Sequence, residues 1–286
     1  MTHVDTVNAQ WRYLPGKVSL LVGSSLISHC GPHFHDTYTI ACMRSGRAEV
    51  RTRHQSTVWD DGSVFICNPY EIHEGNEVQE GFGGVQSLDY DVCYPSEMLM
   101  IAMLDIPTSS SGRLYFENIV LPRQESTIEL GAIIADFMAP DARSSTAAQE
   151  QALIDFFRRN RVLFRFRQVE ADVSVWVSSA HAMLEEAVAE GTDVGDVLDR
   201  IGCSRSHLIR QFRAVTGITP GAYVRQLRLA RARRLLCDGA SIADIAADIG
   251  FSDQPHLTRE FKRVNGTTPG KLLRDLLAQA EYAGHS

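Results

Sequence analysis

Between residues 18 and 95, apolar and polar positions alternate with the short period of extended chain. Tyr38, Ile40 and Cys42 are separated by smaller or polar neighbours, and Val64-Phe65-Ile66-Cys67 is a brief apolar run closed by Asn68-Pro69. Both patterns predict strands. Val18 to Ile27 also reads as a strand. Gly and Ser interrupt it, it is too short to cross a bilayer, and its acidic, weakly basic leader makes a poor signal peptide. Turn signals recur at Ser45-Gly46, Asp61-Gly62, Glu74-Gly75-Asn76 and Gly81-Phe82-Gly83-Gly84, and short strands so punctuated predict a sandwich or small barrel. The last cluster lacks the G-x-G-x-x-G order and no helix follows it, so it reads as a turn, not a phosphate loop.

After Pro95 the period lengthens. Ile128, Ile133, Ile134 and Phe137 within 125–138, and Leu153, Phe156, Phe157, Val162 and Leu163 within 147–166, have helical spacing. Ala139-Pro140-Asp141 and Ser144-Ser145 separate the two segments. With no sheet of their own, these helices must bury their apolar faces on the barrel or in a dimer interface.

The C-terminal region repeats itself. Residues 208–221 and 257–270 share eight identities in fourteen positions, where chance gives about one. Upstream, Val197 pairs with Ile245, Ile201 with Ile249, Gly202 with Gly250 and Ser204 with Ser252. Each copy has an apolar-spaced segment (194–201; 242–249), a Gly suited to a left-handed turn, one bridging residue, and Ser as N-cap of a second helix. That is the grammar of a helix-turn-helix. Pro255 falls in a first turn, where backbone N–H groups have no intrahelical partner.

In the second helices, Leu208 with Phe212 and Leu257 with Phe261 line inward faces. The outward faces then carry Arg205, Ser206, Ile209, Arg210 and Arg213 in one copy and Gln254, His256, Arg259, Lys262 and Arg263 in the other. Arg pairs twice with guanine, while Lys and peripheral Arg neutralise phosphate. Between the copies, Gly221 to Leu236 predicts a helix about 24 Å long, with Leu229, Ala232 and Leu236 on one stripe and Arg225, Arg228, Arg231, Arg233 and Arg234 mostly elsewhere. Such a connector suits two reading helices spaced near the ~34 Å between successive major-groove entries, with DNA bending supplying any shortfall.

Charge separates along the chain in the same way. The 286 residues carry a net charge of −7, 44% hydrophobic and 22% charged residues, a globular balance with length enough for two cores. Residues 200–274 hold 14 Lys and Arg against 5 Asp and Glu, and the rest of the chain 14 against 30. An acidic body joined to a basic module points to a polyanion partner at one end only. The six cysteines form no C-x-x-C pair, which argues against a disulfide or Cys-based zinc framework and fits a reducing cytoplasm.

Residues 181–277 resemble the double helix-turn-helix domain of the AraC/XylS transcriptional regulators. The resemblance is carried by Ser204, Leu208, Arg210, Phe212, Gly217, Thr219-Pro220, Tyr223, Arg228, Ala232, Leu236, Ile242-Ala243-Asp244-Ile245-Ala246, Gly250-Phe251-Ser252-Asp253-Gln254, Arg259-Glu260-Phe261-Lys262 and Thr268-Pro269. Leu257 stands where the family often has Phe, and Leu272-Leu273 where it has Tyr-Arg. The resemblance implies double-stranded DNA and RNA polymerase as partners.

A looser resemblance, over 18–95, links Pro32-His33-Phe34-His35-Asp36 and Gly62-x5-Asn68-Pro69-x3-His73-x2-Asn76 to the two strand motifs of the cupin barrel, which such regulators use as a sensor. His33 and His35 share a strand face that His73 could meet, with Asp36 on the opposite face. Three imidazoles are a metal site in principle. Enzymatic cupins usually add a carboxylate where this chain has Thr37, Tyr38 and Thr39. The residues therefore read as hydrogen-bonded or small-ligand contacts, with His33, His35, Tyr38 and His73 touching an effector and no metal or other cofactor.

The expected fold class is α+β: a cupin-like sensing barrel (1–95), a helical linker where a dimer interface would sit (96–172), and an all-α domain with two helix-turn-helix units (173–286). The expected function is that of a cytoplasmic, homodimeric, DNA-binding regulator answering a small-molecule effector, without membrane association or enzymatic activity. The alternative is a metal-dependent cupin enzyme fused to a nucleic-acid-binding tail.

Overall fold

The computed structural model describes residues 10–14, 20–27, 29–77, 88–107, 113–138, 146–169, 183–184, 186–188 and 205–283. Its N-terminal part is two antiparallel sheets. One has the order β1 (Gln10–Leu14), β2 (Leu20–Ile27), β9 (Leu88–Pro95), β4 (Thr39–Ser45), β7 (Val64–Cys67), β11 (Val120–Leu121); the other runs β3 (His29–His33), β8 (His73–Glu77), β5 (Arg47–Thr52), β6 (Ser56–Asp60).

The larger sheet is covered on both faces, which explains the unbroken apolar run at Val64–Cys67. Ala41, Phe65, Cys67, Val92 and Tyr94 face the smaller sheet, while Ile40, Cys42, Val64, Ile66 and Cys93 face the helices behind. Those helices are α1 (Glu97–Met103), α2 (Glu125–Met138) and α3 (Thr146–Arg159), whose Leu130, Ile134, Phe137, Phe156 and Phe157 are buried there. A two-stranded ribbon, β10 (Arg113–Phe116) with β12 (Phe166–Val169), flanks them. The amphipathic middle region thus packs on the barrel.

Several sequence expectations change. Glu74-Gly75-Asn76 is no turn but the middle of β8, paired with β3 and β5. The helix expected over 147–166 stops at Arg159, followed by a 3-10 turn (Arg161–Leu163) and β12, so Val162 is exposed, not packed. The Gly81–Gly84 cluster and the first helix of the first repeat (194–201) lie outside the described residues.

The C-terminal helices are α4 (Arg205–Thr216), α5 (Pro220–Cys237), α6 (Ile242–Asp248), α7 (Gln254–Asn265) and α8 (Pro269–Ala283). Local chemistry sets their limits. Thr219 caps α5, with Pro220 in the first turn, and Ser241 caps α6. The cap of α7 is Asp253 rather than Ser252: its carboxylate accepts from the His256 N–H at 2.6 Å, and Ser252 turns instead to the His256 ring. A carboxylate suits the positive end of a helix better than a hydroxyl.

Gly250 forms the tight turn between α6 and α7 with φ +75, and its carbonyl oxygen accepts from Arg228 Nη1 at 2.8 Å. A Cβ there would lie 3.0 Å from the Arg228 guanidinium. Gly250→Ala is expected to cost about 1–2 kcal/mol for the left-handed backbone alone, read as a lower urea midpoint at unchanged m-value.

Candidate sensor pocket and nucleic-acid interface

A cavity opens between the two sheets. Its walls are apolar, with Ala41, Val50, Trp59, Phe65, Leu88 and Val92, and one end carries His33, His35 and His73. Backbone register builds that end: β3 and β8 pair His33 directly with His73, and His35 follows two residues later. The ring centroids of His33 and His73 are 4.2 Å apart, and those of His33 and His35 are 4.9 Å apart. Burial holds all three imidazoles neutral at pH 7. It depresses His33 to about 4, the neighbouring guanidiniums of Arg263 and Arg233 adding to the effect, and holds His35 and His73 well below the usual imidazole range.

Tyr38 is not brought to this group. It shares the strand face of Ile40 and Cys42, its side chain lies in the core beneath the helices, and its hydroxyl donates to the Leu114 carbonyl at 2.8 Å. Alternation along the strand accounts for this, since residues two and four apart share a face. Asn68, in the second cupin-like motif, also has a structural role: it accepts from the Phe116 N–H at 2.7 Å and donates to the Phe116 carbonyl at 3.0 Å.

Residues 32–36 serve two partners. His33 and His35 turn to the cavity, while Phe34 and Asp36 turn to α5. The Phe34 N–H donates to Gln226 Oε1 at 2.6 Å, Gln226 Nε2 donates to the Pro32 carbonyl at 3.1 Å, and Phe34 packs on Tyr223 with ring centroids 4.7 Å apart. Asp36 and Arg233 form a buried ion pair at 2.7 Å, their side chains 4% and 7% exposed. Arg233 also donates to His35 Nδ1 at 3.3 Å and lies over the Tyr94 ring at 4.8 Å. Arg233 is therefore not on the outer face of the connector helix. Its position, four residues after Leu229 and three before Leu236, puts it on the buried stripe, a signal present in the spacing but overridden by its charge.

In α7, Leu257 and Phe261 are fully buried and Gln254, Arg259 and Lys262 are exposed. His256 is half-buried against Phe251. Arg263 is exposed but bonded to Glu260 at 2.9 Å, and residues Arg263–Gly266 reach the rim of the cavity. In α4, Phe212 is buried, Ser206, Arg210 and Arg213 are exposed and Ile209 is half-buried. The side chains of Arg205 and Leu208 lie outside the described residues. Basic residues thus crowd the outward faces of both described second helices.

Two family models match, an AraC-like ligand binding domain over residues 23–157 and a helix-turn-helix domain over residues 197–275. The chain carries both an AraC-like ligand-binding domain and an AraC-type helix-turn-helix domain. As an AraC-type regulator it joins a ligand-binding domain to a DNA-binding domain with helix-turn-helix units. An uncharacterized HTH-type transcriptional regulator of Bacillus subtilis, YbfI, is 28% identical over 78% of this chain and 79% of its own length. The HTH-type transcriptional activator RhaS of Escherichia coli is 42% identical over 25% of this chain and 26% of that protein. Among solved structures, an apo ToxT variant from Vibrio cholerae has a TM-score of 0.57 at 16% identity, covering 90% of this chain and 97% of that one. Wild-type ToxT with an unsaturated fatty acid has a TM-score of 0.53 at 13% identity, covering 96% and 98%. These two likenesses show that the AraC-type chain shares the ToxT fold.

Proposed function

We propose that the chain is a sequence-specific regulator of transcription whose α4 and α7 read adjacent major grooves of double-stranded DNA, and whose affinity for DNA is set by a small molecule in the barrel. The observation that carries this reading is the α7 face, where Gln254, Arg259 and Lys262 point to solvent while Leu257 and Phe261 anchor the helix. Arg205, Ser206, Ile209, Arg210 and Arg213 take the same part on α4, and His256 and Arg263 flank the α7 face. The apolar cavity supports a small-molecule effector, as does the shared fold with ToxT, which has been solved with an unsaturated fatty acid bound. An effector shifts DNA affinity only by preferring one domain arrangement, typically by ~1–3 kcal/mol.

Homodimerisation, contact with RNA polymerase and a cytoplasmic location belong to the same reading, and so does the absence of catalysis. Among the described residues, the histidine group includes no carboxylate, and no helix is long and apolar enough to cross a membrane.

Binding sites selected from genomic DNA test the proposal. Arg210→Ala and Arg259→Ala are each expected to weaken a selected site by about 1–3 kcal/mol while leaving random DNA nearly unaffected. Equal losses on both would make them phosphate contacts. The logarithm of the binding constant should fall steeply with the logarithm of salt; a flat dependence would overturn the DNA-binding reading.

A further inference from the structure

Outside 200–274 the chain is acidic, with one local exception. Five of the fourteen Lys and Arg residues in that part fall between Arg158 and Arg167, where no Asp or Glu occurs. All five, Arg158, Arg159, Arg161, Arg165 and Arg167, are exposed, and they span the end of α3, the 3-10 turn and β12. Strand alternation turns Phe166 onto Phe116, with ring centroids 6.0 Å apart, and leaves Arg165 and Arg167 on the opposite face.

The cluster keeps its charge. Arg159 pairs with Glu129 at 2.6 Å and Arg167 with Glu117 at 3.5 Å, but all four side chains are solvent-exposed, and such pairs hold weakly. Among the described residues no carboxylate pairs with Arg158, Arg161 or Arg165. Two guanidiniums are steadied by aromatic faces, Arg161 over Phe166 at 5.6 Å and Arg167 over Tyr115 at 5.2 Å. A ring orients a cation without neutralising it.

The fold sets this cluster beside the first helix-turn-helix. Tyr115 lies opposite Arg167 in the ribbon, and its hydroxyl donates to Glu71 Oε1 at 3.3 Å. Tyr70 and Ile72, on either side of Glu71, pack in one cluster with Phe212 of α4 and Tyr223 of α5. A duplex held by α4 would therefore present its neighbouring phosphates to the ribbon at high effective concentration.

We propose that Arg158, Arg161, Arg165 and Arg167 bind backbone phosphates of the duplex beyond the half-site read by α4, giving the sensor half a sequence-independent DNA contact of its own. The proposal rests on the DNA-binding reading and adds a second interface to it. Guanidinium groups suit phosphate, whose oxygens take two N–H donors at once. A lipid surface fits less well, because Val162 is the one exposed apolar residue of this stretch and a membrane-bound segment needs an apolar stripe.

The test uses the full chain and two DNA fragments carrying one selected site, a fragment of about 22 base pairs that spans the two reading helices alone and one of about 50 with its genomic flanks. The parent should bind the longer fragment more tightly. Arg158→Gln, Arg161→Gln and Arg165→Gln combined, which deprive no carboxylate of a partner, should weaken binding to the longer fragment roughly 10- to 100-fold near 0.1 M salt and make its salt slope shallower by about two to three. Affinity for the shorter fragment should be unchanged, which shows the reading helices intact. Hydroxyl-radical footprints should show protection beyond the α4 half-site in the parent and not in the variant. Equal losses on both fragments, or no loss on the longer one, would overturn this inference alone. Capture of the parent but not the variant by phosphatidylglycerol vesicles, with DNA affinities unchanged, would overturn it in favour of a lipid partner. A parent that binds selected and random short fragments alike would overturn the regulator reading, and this inference with it.

Discussion

Asp36→Ala should destabilise the chain by about 3–5 kcal/mol, the usual cost of leaving a buried charge without its partner. The variant would strand the Arg233 guanidinium, 7% exposed, beside the His35 ring and the Tyr94 face, neither of which carries a compensating negative charge. Arg233→Ala should cost less. Asp36 keeps a second cation, since Arg234 Nε lies 3.4 Å from its other oxygen and Arg234 is 64% exposed and free to close in. Replacing both, as Asp36→Ala with Arg233→Met, should recover most of the loss, because a well-packed apolar pair matches a buried ion pair in stability. Equilibrium urea unfolding of the three variants measures the ranking. A larger loss for Arg233→Ala than for Asp36→Ala would show that the pair is not the anchor described.

Phe261→Ala is expected to remove about 3–5 kcal/mol, the cost of a cavity where a phenyl ring is fully buried. Phe261 packs with Leu257, Ile245 and Leu236, joining α7 to α6 and to the connector. Without it the second helix-turn-helix loses its interior, so thermal unfolding should begin in the helices and specific DNA binding should disappear. Lys262→Ala, one residue on and exposed, should leave the melting curve within about 0.5 kcal/mol of the parent while lowering the salt slope of DNA binding by about one. A Phe261→Ala loss below about 1 kcal/mol would refute the inward packing of α7.

Most of the architecture was legible because burial leaves a periodic trace. Alternation at Tyr38, Ile40 and Cys42 pointed to β4, and the duplicated motif pointed to α7 with its buried Leu257 and Phe261. The histidine group was legible too, because strand period and the His73 spacing brought the three rings to one face. What stayed hidden depends on long-range pairing. Nothing local distinguishes Glu74-Gly75-Asn76 as a strand, since β8 exists only because β3 and β5 lie on either side. The end of α3 was missed because Val162 and Leu163 continue its spacing, although the chain turns at Asn160. The burial of Arg233 is equally hidden from a local reading, because a charged side chain ordinarily faces solvent and the carboxylate that lets it stay buried lies 197 residues away.

The segment from Pro32 to Asp36 has odd residues in the chamber and even residues on the DNA-binding half. Sensor and reader therefore share a single lever with no intervening linkage to absorb a shift. A twist of a few degrees, needed to draw His33 and His35 toward an occupant, must tilt Phe34 and Asp36 the opposite way, and close packing leaves no slack to hide it. Small guests can thus steer a bulky helix pair without any large rearrangement of the wall that greets them.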